Sequence, residues 1–189
     1  MSLSGKKIAV VGGGSGIGYA VAEACIAEGA LVTIASSNLD RVNASAAKLG
    51  NAAGAERVDV KDEGSVEAFF AATGPLDHIV TTAGDWGGPR RGAGLADLDL
   101  QAARSIFDVR FWGALALAKH GSKVLNDGGS ITFTDGMIAH SPSKGAFVSS
   151  AMAGGIEHLT RGLAVELAPL RVNCVCPGLI RTGVWDSIP

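Results

Sequence analysis

The chain has 189 residues, of which 47% are hydrophobic and 27 are glycine, with a formal net charge of −2. This length and composition predict a single globular domain over 1–189. The lysines and arginines are scattered, which excludes the basic stripe of a nucleic-acid-binding protein, and no apolar run is long enough to cross a bilayer. We therefore expect a cytoplasmic protein without nucleic-acid or membrane partners.

The three cysteines Cys25, Cys174 and Cys176 form an odd set without the spacing of a disulfide framework. No nearby His or Cys in the sequence completes a metal site with them. They are predicted to be small buried hydrophobic residues, and no metal ion is expected.

Short β-branched segments alternate with longer Ala-rich segments of helical character. Strands are predicted over 7–11, 31–35, 56–60, 78–82, 130–134 and 171–176. Helices are predicted over 17–28, 39–49, 65–72, 97–125 and 143–168. The strands lack in–out alternation, which indicates burial on both faces, as in a parallel sheet between helix layers. The predicted fold class is therefore α/β, a single doubly wound Rossmann-type parallel sheet with helices on both faces.

A glycine-rich turn, VVGGGSGIG over 10–18, follows the first predicted strand and opens the first predicted helix. In such a turn Gly12 permits a tight bend, Gly16 lets the backbone approach a diphosphate, and Gly18 allows close contact between helix and sheet. The helix N-terminus offers free N–H groups and a positive dipole end to phosphates. Between a strand and a helix this pattern predicts dinucleotide binding, and a structural turn that has lost its ligand is the alternative.

The glycine spacing of this turn, G-x3-G-x-G, resembles that of the short-chain dehydrogenase/reductase family. Three further segments resemble motifs of that family in the same order along the chain: RVDV at 57–60, TTAG at 81–84 and LAVELAPLRVNCVCPGLIRTG at 163–183. The resemblance therefore covers essentially the whole chain, and it implies the family's fold and its nicotinamide cofactor.

The resemblance also assigns expected roles to single residues. It implies that Asp59 contacts the adenine, with Val60 beside it, and that Ile180 and Thr182 hold the nicotinamide carboxamide. The cofactor residues implied by the turn and the resemblance together are Gly12, Ser15, Gly16, Ile17, Gly18, Ser36, Ser37, Asp59, Val60, Ala83, Gly84, Pro177, Gly178, Ile180 and Thr182. For the Pro-Gly pair, the alternative is that it simply ends a strand.

The choice between NAD and NADP depends on the end of the second predicted strand, which reads ASSNLDR. NAD usually meets an acidic side chain there, which bonds the ribose hydroxyls. Ser36 and Ser37 stand at this place, so no carboxylate repels a 2′-phosphate and hydroxyl groups can bond it. The sequence favours NADP, and the alternative is that Ser37 and Asn38 only begin the next helix.

For catalysis, the resemblance implies reduction of a carbonyl by hydride transfer from the nicotinamide. In the family a tyrosine donates the proton, a lysine four residues later lowers the pKa of that tyrosine, a serine polarises the carbonyl, and an asparagine holds a water relay. His140 and Lys144 have the tyrosine–lysine spacing. We interpret this spacing as a coincidence, because choosing it would delete about nine residues from a well-matched region.

The segment GGIEHLTRGLAVELAP matches the family's fifth helix without a gap. This register puts the family tyrosine at Ser149 and the lysine at Ala153. The serine place then falls on Gly136 at the end of the fifth strand, and the asparagine place falls on Arg110. All four residues differ from the family pattern, so the usual proton relay is absent.

The candidates for a replacement relay are Asp135, His140, Lys144, Ser149 and Arg110. Asp135 ends the fifth strand. We hypothesise that Arg110 reaches into the space at Ala153 and pairs with Asp135. Imidazole chemistry suits His140 for acid–base work. In the alternative interpretation His140 and Lys144 face solvent, Asp135 is a turn or cap residue, and Arg110 lies on a dimer face.

Two functions fit these observations. The first is an oxidoreductase that transfers hydride between a nicotinamide cofactor and an unidentified carbonyl or alcohol, with a non-standard proton donor. The second is a non-catalytic NADP(H)-binding sensor or scaffold, which the residues at the family's catalytic places favour. Family members usually continue beyond this point, so we expect the C-terminal part of the fold to be missing. We also expect a homodimer or homotetramer formed through the helices near 97–125 and 143–168.

Overall fold

Six parallel strands form one sheet in the computed structural model, which describes residues 2–84 and 94–183. The strands are β1 (Lys7–Val11), β2 (Leu31–Ser36), β3 (Ala53–Arg57), β4 (Leu76–Thr81), β5 (Leu125–Thr134) and β6 (Arg171–Val175). Their order is β3-β2-β1-β4-β5-β6, and every neighbouring pair is parallel. The strand order reverses between β1 and β4, where ligands bind to doubly wound sheets. The predicted fold class is confirmed.

Six α-helices pack around the sheet in the described ranges. They are α1 (Gly16–Ala27), α2 (Leu39–Leu49), α3 (Glu63–Thr73), α4 (Leu100–Phe107), α5 (Gly113–Gly121) and α6 (Phe147–Glu166). The single helix predicted over 97–125 begins later because the Asp99 side chain caps α4 by accepting the N–H groups of Gln101 and Ala102. A π-helical turn, Asp108–Trp112, interrupts it between α4 and α5. Such turns often occur at functional sites, and this one carries Arg110.

The third strand lies three residues before its predicted position. In the structure Ala53–Arg57 pairs with β2, and the predicted range 56–60 falls mainly in the connection to α3. The valines that produced the strand-like signal, Val58 and Val60, are nevertheless buried, with 1% and 8% exposure. They pack into the core from a connection. Their hydrophobicity therefore predicted burial correctly, but the inference that they pair with a neighbouring strand was wrong.

The hydrophobic core has two parts, one on each face of the sheet. The part under α1 and α2 contains Ile8, Val10, Ala22, Val32, Ile34 and Val42. The part under α3, α5 and α6 contains Val11, Phe70, Ile79, Leu117, Ile131 and Ile156. Successive residues of β1 therefore contribute to opposite faces, as expected for a strand covered on both sides. This burial fixes the strand ends that carry the site.

Several large apolar side chains remain exposed on the helices expected at subunit interfaces. Trp112 in the π-helical turn is 58% exposed and Val165 in α6 is 82% exposed. Among the helices in 2–84 and 94–183, none is both long and apolar enough to span a bilayer. The homodimer or homotetramer stays a prediction.

Candidate active site

A glycine turn joins β1 to α1 at the C-terminal edge of the sheet. Gly12 has a φ of +88° and Gly16 a φ of +54°, in the left-handed region that favours glycine. The Gly12 N–H donates to the Ala35 carbonyl oxygen at 2.7 Å, which ties the start of the turn to β2. A larger residue at either glycine would strain this bend.

The end of β4 packs directly against the glycine turn. A Cβ atom on Gly12 would lie 2.6 Å from the Ala83 nitrogen, closer than real Cβ contacts come. A Cβ atom on Gly18 would collide with the Gly12 carbonyl oxygen and the Thr82 hydroxyl. That hydroxyl donates a hydrogen bond of 3.3 Å to the same carbonyl oxygen. Only glycines therefore allow the turn, α1 and β4 to approach this closely.

The N-terminus of α1 presents backbone amides beside this turn. Ser15 is the N-cap residue, and its hydroxyl makes no capping hydrogen bond. Ser15 and Gly16 are exposed, and no acidic side chain occupies the first turn. The first amides of a helix lack intrahelical partners, and the helix dipole adds positive potential there. These exposed backbone amides fit the binding of a diphosphate.

The other cofactor residues implied by the sequence lie along the same edge of the sheet. They end or follow β2 (Ser36, Ser37), β3 (Asp59, Val60), β4 (Ala83, Gly84) and β6 (177–182). The segment after β6 returns to the glycine turn, because a Cβ atom on Gly16 would lie 3.5 Å from the Thr182 side chain. The structure therefore brings these segments together, and their contacts with a cofactor stay a prediction.

The end of β2 holds the residues expected to select the cofactor. The Ser36 hydroxyl donates to the Asn38 carbonyl oxygen at 3.1 Å, and the Asn38 side chain accepts the Arg41 N–H at 2.9 Å. Asn38 is thus the N-cap of α2, which confirms that it begins the next helix. The sequence analysis missed Arg41, whose methylenes lie 3.4 Å from the position of a Cβ atom on Gly14. Arg41 therefore brings a cation to the glycine turn.

Arg110 reaches from the π-helical turn toward the end of β4. Its guanidinium lies so close to Gly84 that a Cβ atom there would collide with it. Arg110 also lines a small cavity together with Thr81 and Thr134. This position places the guanidinium at the end of the strand next to β5.

The predicted pairing of Arg110 with Asp135 is wrong. Neither carboxyl oxygen of Asp135 has a hydrogen-bond partner among the residues that the structure describes. Ala153 is 1% exposed within the packed core, and the Arg110 guanidinium lies against Gly84. The bare backbone of Gly84 provides the room that the guanidinium occupies instead.

Asp135 is a buried carboxyl group at the end of β5. Its exposure is 7%, and its N–H donates to the Val175 carbonyl oxygen at 3.1 Å, which fixes the backbone beside β6. Burial raises the pKa of Asp135, and the neighbouring carboxyl of Glu157 adds to this effect. Asp135 therefore keeps its proton to a higher pH than an exposed aspartate does.

The Glu157 carboxyl and the His140 imidazole lie in contact next to this carboxyl. The His140 Nε2 atom lies 2.6 Å from the Glu157 Oε1 atom, and the His140 side chain is 53% exposed. Burial opposes ionisation of Glu157, but its interactions with Asp135 and His140 outweigh burial and lower its pKa. The sequence analysis did not name Glu157 as a site residue. It lies four residues after Ala153 and therefore on the same side of α6, which was the signal that could have identified it. Lys144 is exposed in the segment before α6.

Cys174 and Cys176 lie on the β6 side of the same cluster. Burial raises the pKa of Cys174 to about 12 and that of Cys176 to about 11, with Asp135 as a further cause for both thiols. Both thiols are therefore protonated at neutral pH and are poor nucleophiles. The prediction that the three cysteines are buried is wrong, since Cys25, Cys174 and Cys176 are all half-buried.

Two comparisons with known proteins decide the family. The profile of a family described as Enoyl-(Acyl carrier protein) reductase matches residues 11–189. The chain is 35% identical over 192 residues to the short-chain dehydrogenase/reductase ATR9 of Stachybotrys chlorohalonatus, covering 94% of this chain and 74% of that protein. The chain belongs to the short-chain dehydrogenase/reductase family.

Solved structures of the short-chain family agree with the fold. A short-chain type dehydrogenase/reductase from Mycobacterium ulcerans superposes with a TM-score of 0.92 at 29% identity, covering 100% of this chain and 72% of that one. A small-chain dehydrogenase in complex with NADPH superposes with a TM-score of 0.80 at 34% identity, covering 98% of this chain and 76% of that one. The sequence-based assignment to the family is confirmed.

The residues predicted at the short-chain family's catalytic places can be located in the structure. Ser149, predicted at the tyrosine place, lies in the first turn of α6, and Ala153, predicted at the lysine place, lies one turn later. Gly136 follows β5, and a Cβ atom there would lie 3.9 Å from the Pro177 carbonyl oxygen. The chain's single tyrosine, Tyr19, belongs to α1. His140 and Lys144 precede α6, so they do not share a helix face as the family's tyrosine and lysine do.

The buried Asp135 carboxyl should cost the fold stability at alkaline pH. Its pKa in the folded state exceeds the ordinary 3.8, so the penalty grows as pH rises above that value and disappears below it. Asp135→Asn is therefore expected to raise the free energy of unfolding by about 1 kcal/mol at pH 8, and by less at pH 5. Urea denaturation in EDTA at both pH values measures the difference.

Asp77→Asn is the matched control, and its expected change in the free energy of unfolding has the opposite sign. The Asp77 carboxylate accepts hydrogen bonds from Lys6 Nζ and the Lys7 N–H, both at 2.9 Å, and the first of these is the main cause that lowers its pKa to about 2. Its stabilisation is present above pH 3.8 and is lost as pH falls through 2, so the control is expected to be less stable than wild type at pH 8. An Asp135→Asn protein that also loses stability at pH 8 would contradict our interpretation of Asp135.

Proposed function

We propose that the protein is an NADP(H)-dependent oxidoreductase that interconverts a carbonyl and an alcohol, with Asp135 as the proton donor. The observation that carries this proposal is the buried Asp135 carboxyl, which lacks a hydrogen-bond partner among the described residues and lies one residue before the family's serine place. The known complex of a related small-chain dehydrogenase with NADPH supports the cofactor.

The chain's own residues provide the parts of a cofactor site. The amides at the start of α1 would hold the diphosphate, and the segment ending at Thr182 would hold the nicotinamide. When bound, the nicotinamide supplies or accepts a hydride. The collisions that a Cβ atom would meet at Gly12 and Gly18 support this assignment, because they show why the cradle is built from backbone.

Asp135 would take the role of the family's tyrosine. Its raised pKa keeps a proton available for transfer, and its burial excludes the bulk water that would otherwise compete for that proton. Arg110 at the mouth of the small cavity beside Thr134 would polarise the carbonyl, because a guanidinium always carries its charge and its donors. The substrate is a carbonyl or alcohol compound whose further chemistry the described residues do not specify.

The preference for NADP over NAD follows from the end of β2. Ser36 and Ser37 provide no carboxylate to repel a 2′-phosphate, and Arg41 lies across Gly14 in the same region. A guanidinium can bind a phosphate through two parallel hydrogen bonds, which a ribose hydroxyl cannot match. Arg41 therefore offers the 2′-phosphate of NADP a binding partner, in addition to the lack of a repelling carboxylate found in the sequence.

The cofactor cradle can be tested with two glycine-to-alanine variants in helices. Gly18→Ala is expected to weaken NADPH binding at least tenfold, because the added methyl group pushes apart α1, the turn and Thr82. Gly162→Ala in α6 is the control, since a Cβ atom there meets nothing within 4 Å. NADPH fluorescence titration measures both affinities. Equal affinities in folded Gly18→Ala and Gly162→Ala proteins would exclude binding at this turn.

The cofactor preference can be tested by removing the cation at the end of β2. Arg41→Ala is expected to weaken NADPH binding by about tenfold while changing NADH binding by less than twofold, because only NADPH carries the 2′-phosphate. Arg161→Ala removes an exposed arginine from α6 and controls for the loss of general positive charge. If wild type binds NADH more tightly than NADPH, the preference is wrong.

The reaction itself is tested with a library of carbonyl and alcohol compounds, monitored by NADPH fluorescence. Turnover by wild type is expected, and Asp135→Asn should lower the rate at least 100-fold with unchanged NADPH affinity, because a general acid contributes that much. Asp127→Asn, an exposed aspartate on the same strand, is the control that retains the rate. Tight NADPH binding without turnover of any compound would instead favour a non-catalytic sensor, the alternative suggested by Gly136, Ser149 and Ala153.

A further inference from the structure

We propose that His140, Glu157 and Cys176 form a binding site for one divalent transition-metal ion, with Zn²⁺ as the ion that fits them. One ligand atom from each residue, an imidazole nitrogen, a carboxylate oxygen and the thiol sulfur, lies within 4.8 Å of the other two. The nitrogen and the oxygen are already 2.6 Å apart. No other residues in the described ranges bring three potential ligands together in this way.

The three donors match the chemistry of zinc. Zn²⁺ accepts nitrogen, oxygen and sulfur ligands in one tetrahedral site, at bond lengths of about 2.0 to 2.3 Å. Calcium and magnesium prefer oxygen ligands alone, so the Cys176 sulfur argues against them. Bonds of that length put the ligand atoms roughly 3 to 4 Å from one another. The nitrogen and oxygen would therefore move apart from their present 2.6 Å, and no pair would need to close from more than 4.8 Å. A water molecule would complete the tetrahedron.

Asp135 provides a second and independent indication that a cation belongs here. Its carboxyl is 93% buried and has no hydrogen-bond partner among the described residues, and its N–H donates at 3.1 Å to the carbonyl oxygen of Val175, the residue before Cys176. A buried carboxyl group without a partner is costly, and a bound metal ion nearby would stabilise its ionised form.

Two of the three ligands, Glu157 and Cys176, come from rigid parts of the fold. Glu157 lies in the middle of the 20-residue helix α6, and Cys176 follows β6. The next residue, Pro177, accepts a hydrogen bond of 3.0 Å from the Met137 N–H, which fixes the position of the strand end. His140 is exposed on the connection between β5 and α6, so it can move to close the site around an ion. Two fixed ligands and one adjustable ligand suit a site that an ion enters from solvent.

Binding has a defined proton balance. Cys176 is a neutral thiol in the metal-free protein, so the sulfur would bind as thiolate and its proton would pass to the buffer. No electron is transferred, because Zn²⁺ has no accessible second oxidation state under these conditions. The site needs no nicotinamide cofactor, so Zn²⁺ binding and NADPH binding can be measured separately.

The test is metal binding by the full chain, freed of metal with a chelator, at pH 7.5. Calorimetric titration with Zn²⁺ is expected to give one ion per chain. Titration with Co²⁺ as a spectroscopic probe is expected to give a thiolate-to-metal charge-transfer band in the near ultraviolet. Cys176→Ser should abolish that band, and Glu157→Gln and His140→Ala should each weaken Zn²⁺ binding at least tenfold, because each removes one ligand.

Two matched variants control for unspecific binding. Cys25→Ser removes a thiol from α1, and His158→Ala removes the exposed imidazole next to Glu157, so both should bind Zn²⁺ like wild type. Circular dichroism and NADPH affinity show whether each variant is folded, and folded Glu157→Gln decides the outcome if Cys176→Ser is unstable. Wild type without stoichiometric Zn²⁺ binding, or an unchanged affinity in folded Glu157→Gln, would overturn the proposal even if NADPH binds and turnover occurs.

Discussion

The close approach of β4 to the glycine turn is the constraint on which the rest of the structure depends. No side chain fits between Gly12, Gly18 and the Thr82–Ala83 backbone, so the turn must consist of glycine at these points. This packing holds the first amides of α1 beyond the C-terminal edge of the sheet at the switch point between β1 and β4. The other cofactor residues implied by the sequence follow strands that end at the same edge.

In the register that the sequence predicts, the family's catalytic places carry residues of other types, and the same scaffold still presents polar side chains at this edge. The sheet fixes the ends of β5 and β6, whatever side chains occupy them. Here that edge carries a buried carboxyl group, Asp135, with Glu157 behind it on α6. Arg110 approaches from the π-helical turn on the other side. In our proposal, this more acidic group of residues takes the place of the family's polar relay.

Sequence patterns predicted the parts of the structure that depend on local chemistry. The glycine turn and the doubly wound sheet could be derived from spacing and periodicity. The third strand was misplaced because Val58 and Val60 are buried from a connection, and burial alone does not reveal hydrogen bonding. The π-helical turn carries no comparable sequence signal, so the predicted direction of the Arg110 side chain was wrong.

The contacts among distant residues could not be predicted in this way. His140, Glu157 and Cys176 belong to a connection, a helix and a strand end, and only the tertiary fold brings them together. The most direct test of the account is a crystal structure of the protein with NADPH. The account predicts the diphosphate on the amides that begin α1, with the nicotinamide near Asp135. Clear density for NADPH at another place, or none at that turn at saturating concentration, would contradict it.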